Sequence, residues 1–369
     1  MVRIGSVSLG SRFGLAPMAG MTDTAFRRLV KRRGGCGLVV TEMVSSEGLV
    51  RGIDRTLEYA EYTEAERPVS IQIFGGEPDT MAAAARIVES LGADIIDVNM
   101  GCPVRKIAKH HAGCSLMKEP SHAARVVKAM TTAVSTPVTV KMRAGWDEHR
   151  INAPELARMV EDAGAAAVTV HGRTAAQSYT GESDWSLIAR VADAVSIPVF
   201  GSGDCIEPEQ LLERTAGTGV AGALVGRGAL RNPWIFAQAD DLVAGLPSRV
   251  VSSVDRGRFL LEYIDLLLGE GVEEDFGFRH TALGAHVAPA AATRPGPEAR
   301  ARRERWVVNK VRGLATWYTK GLERGSQLRT AVNHAGSLDE LRGMIGEFFF
   351  DVDGRAGDPE SAALDLVAG

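Results

Sequence analysis

The sequence predicts an α/β fold, a (β/α)8 TIM barrel followed by a small C-terminal all-helical domain. Three observations carry this expectation. Short apolar, β-branched runs recur eight times, stretches with helical spacing lie between them, and polar residues capable of chemistry stand at the end of almost every run. Buried strands alternating with helices imply a parallel sheet, and eight is the number that closes a barrel. A doubly wound open sheet is the competing architecture. The polar strand ends favour the barrel, whose reacting groups gather on one face.

Strands are expected at 13–18, 38–43, 69–74, 95–100, 138–142, 167–171, 198–202 and 223–226. Helical spacing occupies 78–91, 121–134, 154–163, 185–194 and 208–214. Several strands follow punctuation such as Gly92-Ala93-Asp94 or Thr136-Pro137. The barrel is therefore assigned to residues 1–245. After Pro233-Trp234 no further strand is evident, and 257–268, 306–320 and 337–349 read as helices, the last with Ser337 and Glu340 in capping-box spacing. These define a helical domain at 250–349. Inside it, 277–303 is rich in Ala, Pro, Gly and Arg without periodicity and is expected to be a mobile insertion; 350–369 is expected to be a tail.

Composition narrows the function. Apolar residues make up 45% and charged residues 24% of the 369, ample for a real core. No run approaches the roughly 20 apolar residues that span a bilayer, and the opening Met-Val-Arg-Ile-Gly-Ser lacks a signal-peptide core. Cys36, Cys102, Cys114 and Cys205 show neither CxxC nor metal-ligand spacing, so free thiols in a reducing cytoplasm, with no metal and no membrane, are expected. The net charge of −4 is unevenly spread. Between Arg294 and Arg329 stand ten Lys/Arg against three Glu, or +7, which leaves −11 for the remainder. A basic block on an acidic protein suggests a confined surface for an anionic partner, although charge runs are more often solvated helix faces.

The strand ends carry the chemistry. In order they present Pro17-Met18-Ala19-Gly20, Glu42, Gln72, Asn99 through Pro103, Lys141 with Arg143, His171 with Arg173, Gly201-Ser202-Gly203-Asp204, and Gly226-Arg227-Gly228. Barrels often bind phosphate with the loops after strands seven and eight, through amides exposed by glycine. Two tight turns that need glycine only for geometry are the simpler reading, and Arg227 tips the balance toward a phosphate-bearing cofactor. Lys141 emerges from the apolar Val138-Thr139-Val140 and should not stay unpaired. It either bridges to Glu42 or Asp97, or stabilises an anion formed in the reaction, such as a reduced flavin ring. Gln72 can donate and accept, which suits the edge of a flavin's pyrimidine ring.

Cys102 stands directly after strand four, between Gly101 and Pro103, so its thiol is expected in the mouth. A free cysteine is more often a small buried hydrophobe, a description that fits Cys36 and Cys205. With an ordinary pKa of about 8.5 a thiol stays protonated at neutral pH and can act as a general acid. A thiolate nucleophile would want an adjacent base, for which His110 and His111 are near in sequence.

Four segments together resemble the tRNA-dihydrouridine synthases, most closely the bacterial B-type branch. They are Ala16-Pro17-Met18-Ala19-Gly20-Met21-Thr22-Asp23, Asp97-Val98-Asn99-Met100-Gly101-Cys102-Pro103-Val104-Arg105-Lys106, His171-Gly172-Arg173-Thr174 with Asp184-Trp185, and Gly226 through Trp234. The likeness runs over 3–236 and resumes more loosely at 310–333, around Trp317-Tyr318-Thr319-Lys320-Gly321. The Asn-x-Gly-Cys-Pro element is highly specific; the barrel glycines are shared with many flavin barrels.

The resemblance implies FMN as cofactor, NADPH as reductant and tRNA as partner; a monomer is expected. Pro17, Met18 and Ala19 would cup the flavin ring with backbone groups. Gln72 and Lys141 would bind its polar edge with His171 nearby, and Ser202, Gly203, Asp204, Gly226 and Arg227 would hold the ribityl phosphate. Cys102 would be the proton donor. Asn99 and Arg173 would face the substrate, and Lys310, Arg312 and Lys320 would hold RNA phosphates. Hydride would pass from flavin N5 to uracil C6, and Cys102 would protonate C5. Ser202 stands where the family usually has Asn, keeping a hydrogen-bonding group, and Cys114 stands where another small residue is usual. The insertion leaves ribosomal RNA open as a substrate beside tRNA. Two other functions fit parts of the pattern: a flavin barrel acting on a free pyrimidine, which has no use for a basic helical appendage, and a non-catalytic RNA-folding factor, which needs no thiol.

Overall fold

A computed structural model describes residues 2–108, 111–269 and 297–350. The chain divides into two compact units, the second beginning at Val250. The first holds eight barrel strands: β1 (Phe13–Leu15), β2 (Leu38–Val40), β3 (Val69–Phe74), β4 (Ile95–Met100), β5 (Val138–Arg143), β6 (Ala167–His171), β7 (Val199–Ser202) and β8 (Gly222–Val225). Each pairs in parallel with the next, and β8 returns to β1 through Ala223 opposite Phe13, closing the ring. Strand positions agree with expectation, but the first two are shorter. Pro17 has no N–H to continue β1, and the Met18 carbonyl instead accepts the amides of Met21 (3.0 Å) and Thr22 (3.1 Å) in a tight turn. After β2 the ladder breaks and resumes at Val44–Ser45 beside β3.

The period of two in a strand sorts the side chains. In β5, Val138, Val140 and Met142 are buried on one face, and Thr139, Lys141 and Arg143 alternate with them on the other. The neighbouring register sets Asp97 beside Thr139, Asn99 beside Lys141, and Arg143 beside His171, so one polar row runs across the inside of the mouth. Below it, Leu38, Val40, Ile95, Ala167, Phe200 and Leu224 pack with Ile4 and Leu9. Those last two come from an antiparallel hairpin, Val2–Ile4 with Val7–Leu9, that sequence periodicity did not reveal; its two inward residues plug the apolar end. The charged groups of this row therefore lie above an apolar layer.

The helices start where local chemistry starts them. Asp23 caps Thr24–Arg33 by accepting from the Phe26 amide, and Asp184 caps Trp185–Ala194 through Leu187. Proline opens Pro78–Ser90, Pro120–Ala133 and Pro208–Thr215, where its missing N–H has no intrahelical duty.

The second unit contains Ser253–Gly269, Pro297–Tyr318, Gly325–His334 and Leu338–Phe349, with Phe259 and Tyr318 stacked at 5.5 Å in its core. The helix expected from 306 begins at Pro297, with Glu298 in its first turn and Arg300 paired to Glu304 at 3.0 Å. Its first two turns are largely exposed, so no apolar period marks them. Residues 270–296, most of the expected insertion, and 351–369 lie outside the described residues. Among the described residues no helix is long and apolar enough to cross a membrane.

Candidate active site

Cys102 sits half-buried just past β4, and its peptide is held from both sides. Its N–H donates to Asn99 Oδ1 at 2.9 Å, and its carbonyl accepts the Cys114 N–H at 3.1 Å. The second contact is possible because Gly113, at φ +59°, folds the loop back; a β-carbon there would stand 2.8 Å from the Cys102 oxygen. Arg143 steadies the preceding residue through Nε to the Gly101 carbonyl at 2.7 Å, and spends Nη1 on the Thr174 and Ser178 carbonyls, both 2.9 Å.

Burial raises the Cys102 thiol pKa, opposed by the Val104 amide and the Arg143 charge, so the thiol is held protonated at neutral pH. Of the two histidines considered as a base, His110 lies outside the described residues and His111 is exposed. The other thiols are inert. Cys36, Cys114 and Cys205 are buried, and burial pushes them to about 11, 11 and 12.

Inside the mouth, Asn99 Nδ2 donates to Gln72 Oε1 (2.7 Å), Gln72 Nε2 to Asp97 Oδ2 (2.7 Å), and Thr139 Oγ1 to Asp97 Oδ1 (2.6 Å). Asp97 and Glu42, the two partners considered for Lys141, are both engaged elsewhere. Glu42 Oε2 accepts the Gly20 N–H at 2.5 Å and pins the first loop. Among the described residues no hydrogen bond or ion pair reaches Lys141 Nζ. Burial, reinforced by Arg143 and countered by Asp97, lowers it to about 8. His171 is more strongly perturbed: burial, then Lys141, Arg143, Arg173 and Arg227, lower it to about 2, so it is neutral, and its buried Nε2 has no hydrogen-bond partner. An ammonium with no hydrogen bond or ion pair among the described residues and an orphaned ring nitrogen on the neighbouring strand suit a polar, electron-rich ligand edge.

The loops after β7 and β8 continue the mouth next to His171. Gly203 has φ +117°, and a β-carbon there would meet Ser183 Oγ at 2.3 Å and His171 Cδ2 at 3.0 Å; its carbonyl accepts from Trp185 Nε1 at 3.1 Å. Gly226 precedes the short helix Arg227–Arg231, and a β-carbon on it would stand 3.4 Å from Met18 Sδ, which joins the first and last loops. Ser202 is buried at the end of β7. Asp204 differs from a phosphate ligand in sign. Its carboxylate accepts the Ser183 N–H (2.7 Å), binds Arg173 Nη2 (2.8 Å) and lies 3.7 Å from Arg227, so it anchors the cations.

Arg173, expected to face substrate, is only 3% exposed, and it donates to the Thr180 and Gly181 carbonyls while Nη1 remains without a partner. Met18 spends its N–H on Thr22 Oγ1 at 3.0 Å, while Pro17 is half-buried and Ala19 exposed. Sequence reasoning missed Tyr179. It is 60% exposed, with its ring 4.9 Å from Arg227 Cζ and 5.8 Å from Arg143 Cζ. A lone aromatic in a polar loop was the available signal.

The second unit carries the remaining expected contacts. Lys320 is exposed with Nζ 4.0 Å from the Trp317 ring, and Lys310 lies 5.5 Å from Trp306. Arg312 is occupied differently: it donates to the Ala335 (2.6 Å) and Val332 (3.3 Å) carbonyls and closes the end of Gly325–His334.

The family described as Dihydrouridine synthase (Dus) matches residues 14–282. A probable tRNA-dihydrouridine synthase of Rickettsia conorii is 35% identical over 353 residues, 95% of this chain and 97% of that protein. A probable tRNA-dihydrouridine synthase of Rhodobacter capsulatus is 42% identical, covering 79% of this chain and 90% of its own. The tRNA-dihydrouridine synthase B of Pseudomonas aeruginosa is 41% identical, covering 80% and 88%. Among solved structures, that of TcOYE with pHBA aligns with a TM-score of 0.50 at 12% identity, over 65% of this chain and 91% of that one, a likeness of fold alone.

Proposed function

This chain belongs to the dihydrouridine synthase family, and on that premise we propose that it reduces specific uridines of tRNA to 5,6-dihydrouridine, with FMN as bound cofactor and NADPH as reductant. The observation that carries the reading is the placement of Cys102, a protonated thiol at the barrel mouth whose peptide is clamped at 2.9 Å and 3.1 Å. FMN, when bound, would supply hydride chemistry at the mouth, with NADPH as the source of its electrons.

The residues fit that cofactor in two groups. Lys141, whose Nζ makes no hydrogen bond or ion pair among the described residues, and neutral His171 with an orphaned Nε2 suit the polar edge of a flavin ring, while Gln72, with both ends of its carboxamide committed, lies behind them. The turns at Ser202-Gly203-Asp204 and Gly226-Arg227 suit its phosphate, with Asp204 holding Arg173 and Arg227 in place. Met18 and its neighbours Pro17 and Ala19 would border the ring from the first loop.

Cys102 supplies the second hydrogen. A nucleobase stacked in RNA cannot enter the mouth, so the uridine must be flipped out of the fold. The thiol proton then passes to C5, and the Val104 amide and Arg143 charge offset the thiolate left behind. Asn99 contributes by holding the Cys102 amide, since both ends of its carboxamide are committed. Lys141 keeps a positive charge at neutral pH and offsets negative charge arising in the pocket. The basic helical unit, Lys320 foremost, holds tRNA phosphates with a salt-sensitive affinity, and a tRNA substrate places the enzyme in the cytoplasm.

The test is direct. Purified protein should be yellow and, given NADPH and an unmodified tRNA transcript, should yield dihydrouridine by nucleoside mass spectrometry. Cys102→Ala should keep flavin and RNA binding but lose product. Colourless protein unable to take up FMN refutes the cofactor, and unchanged yield from Cys102→Ala refutes the acid.

A further inference from the structure

Buried amides choose an orientation only when their neighbours dictate one, and the mouth of this barrel contains two in series. At one end stand the N–H groups of Gly101 and Cys102, 3.1 Å and 2.9 Å from Asn99 Oδ1. A backbone N–H can only donate, so Asn99 must present its oxygen there and turn Nδ2 away. That nitrogen meets Gln72 Oε1 at 2.7 Å, which turns Gln72 Nε2 toward Asp97. The series closes only if the last atom accepts, and Asp97 Oδ2 does, while its other oxygen accepts from Thr139. Reversing Asn99 would set donor against donor at the backbone, and reversing Gln72 would set its nitrogen against Asn99 Nδ2 and its oxygen against Asp97. Asp97, Gln72 and Asn99 are 5%, 1% and 8% exposed, so water cannot repair a mismatch.

We infer that Asp97 is a positioning residue: as the terminal acceptor it holds Gln72 and Asn99 in the one orientation in which the hydrogen-bond relay ends on the backbone of Cys102 and aims the thiol into the mouth. Asp97 is remote from the thiol in this chain of contacts and acts only through the two amides. The inference rests on the reading of Cys102 as proton donor, and its principal readout is independent of RNA chemistry.

That readout is alkylation of Cys102 by iodoacetamide in the flavin-loaded protein, followed by peptide mass spectrometry so that the buried thiols do not contribute. Asp97→Leu removes the terminal acceptor and leaves Gln72 Nε2 facing apolar surface. Released from Asn99, the Cys102 loop should alkylate roughly tenfold faster, and turnover should fall by a similar factor while KM for tRNA stays within about twofold, as misplacement of a reacting group predicts. Asp97→Asn can still turn its oxygen to Gln72 and its nitrogen to the Thr139 hydroxyl, so it should restore both measurements to near the parent. If Asp97→Leu does not fold, Gln72→Met cuts the relay one link later and should give the same faster alkylation. Unchanged alkylation in the folded variant, or an Asn variant as impaired as the Leu variant, overturns the relay. Altered alkylation in a protein that never forms dihydrouridine would leave the relay standing and remove the proposed reaction instead.

Discussion

Lys141 offers a prediction in which stability and function move in opposite directions. Its ammonium is half-buried at the mouth and makes no hydrogen bond or ion pair among the described residues, and desolvation with Arg143, countered by Asp97, lowers its pKa from 10.5 to about 8. At 1.36 kcal/mol per tenfold change in proton affinity, holding that charge costs the folded protein about 3 kcal/mol. Lys141→Met retains the aliphatic stem and removes the charge. The flavin-free variant should therefore be more stable than the parent at pH 7 by about 1–3 kcal/mol, allowing for imperfect repacking, or roughly 3–8 °C in Tm for a barrel of this size.

The pH dependence has a definite sign. Below pH 8 the lysine is protonated both folded and unfolded, and the full cost is present. Between pH 8 and 10.5 the unfolded chain binds the extra proton, so parent stability rises relative to the variant and the gap closes. Thermal unfolding of both proteins at pH 7 and pH 10 measures this, with flavin retention followed in parallel and expected to fall in the variant. A Met variant no more stable than the parent at pH 7 would show that the ammonium is already compensated, and a gap that persists at pH 10 would trace the gain to packing; either outcome removes the charge cost assigned to Lys141.

Other outcomes follow from single contacts. Glu66→Gln leaves Arg27 buried without its counterion, a pair at 2.5 Å with both side chains at most 2% exposed, and should cost about 3–5 kcal/mol by urea unfolding; a loss under about 1 kcal/mol would contradict the structure. Gly203→Ala forces a β-carbon against Ser183 and His171 at φ +117° and should cost about 1–3 kcal/mol while releasing flavin, read by equilibrium dialysis. Lys320→Ala should weaken RNA binding and lower the salt dependence by about one charge with Tm unchanged, whereas Arg312→Ala should lower Tm because it loses the Val332 and Ala335 carbonyls. Equal RNA affinity of the Lys320 variant at low salt would remove that residue from the interface.

The barrel was legible because its signal is local. Each strand announces itself by β-branched runs bounded by Gly or Pro, as in Val69–Phe74 and Ala167–His171, and each helix by a cap or an opening proline. The hairpin Val2–Ile4 and Val7–Leu9 escaped because three residues are too few to display a period, and Pro297–Arg303 escaped because an exposed helical turn has none. The type and order of the mouth residues were likewise readable, since strand ends face one way in any parallel barrel.

What each of those residues does was decided only by the closed ring. The sequence by itself determined which groups reach the mouth: Gln72, Asn99, Cys102, Lys141, His171 and the two glycine turns. It could not say that Asp204 anchors arginines, that Arg173 and Arg312 are engaged by carbonyls, or that Lys141 makes no hydrogen bond or ion pair among the described residues. A strand's side-chain direction follows from its own alternation, but a hydrogen bond needs the partner strand's register, and register is fixed only when eight strands meet.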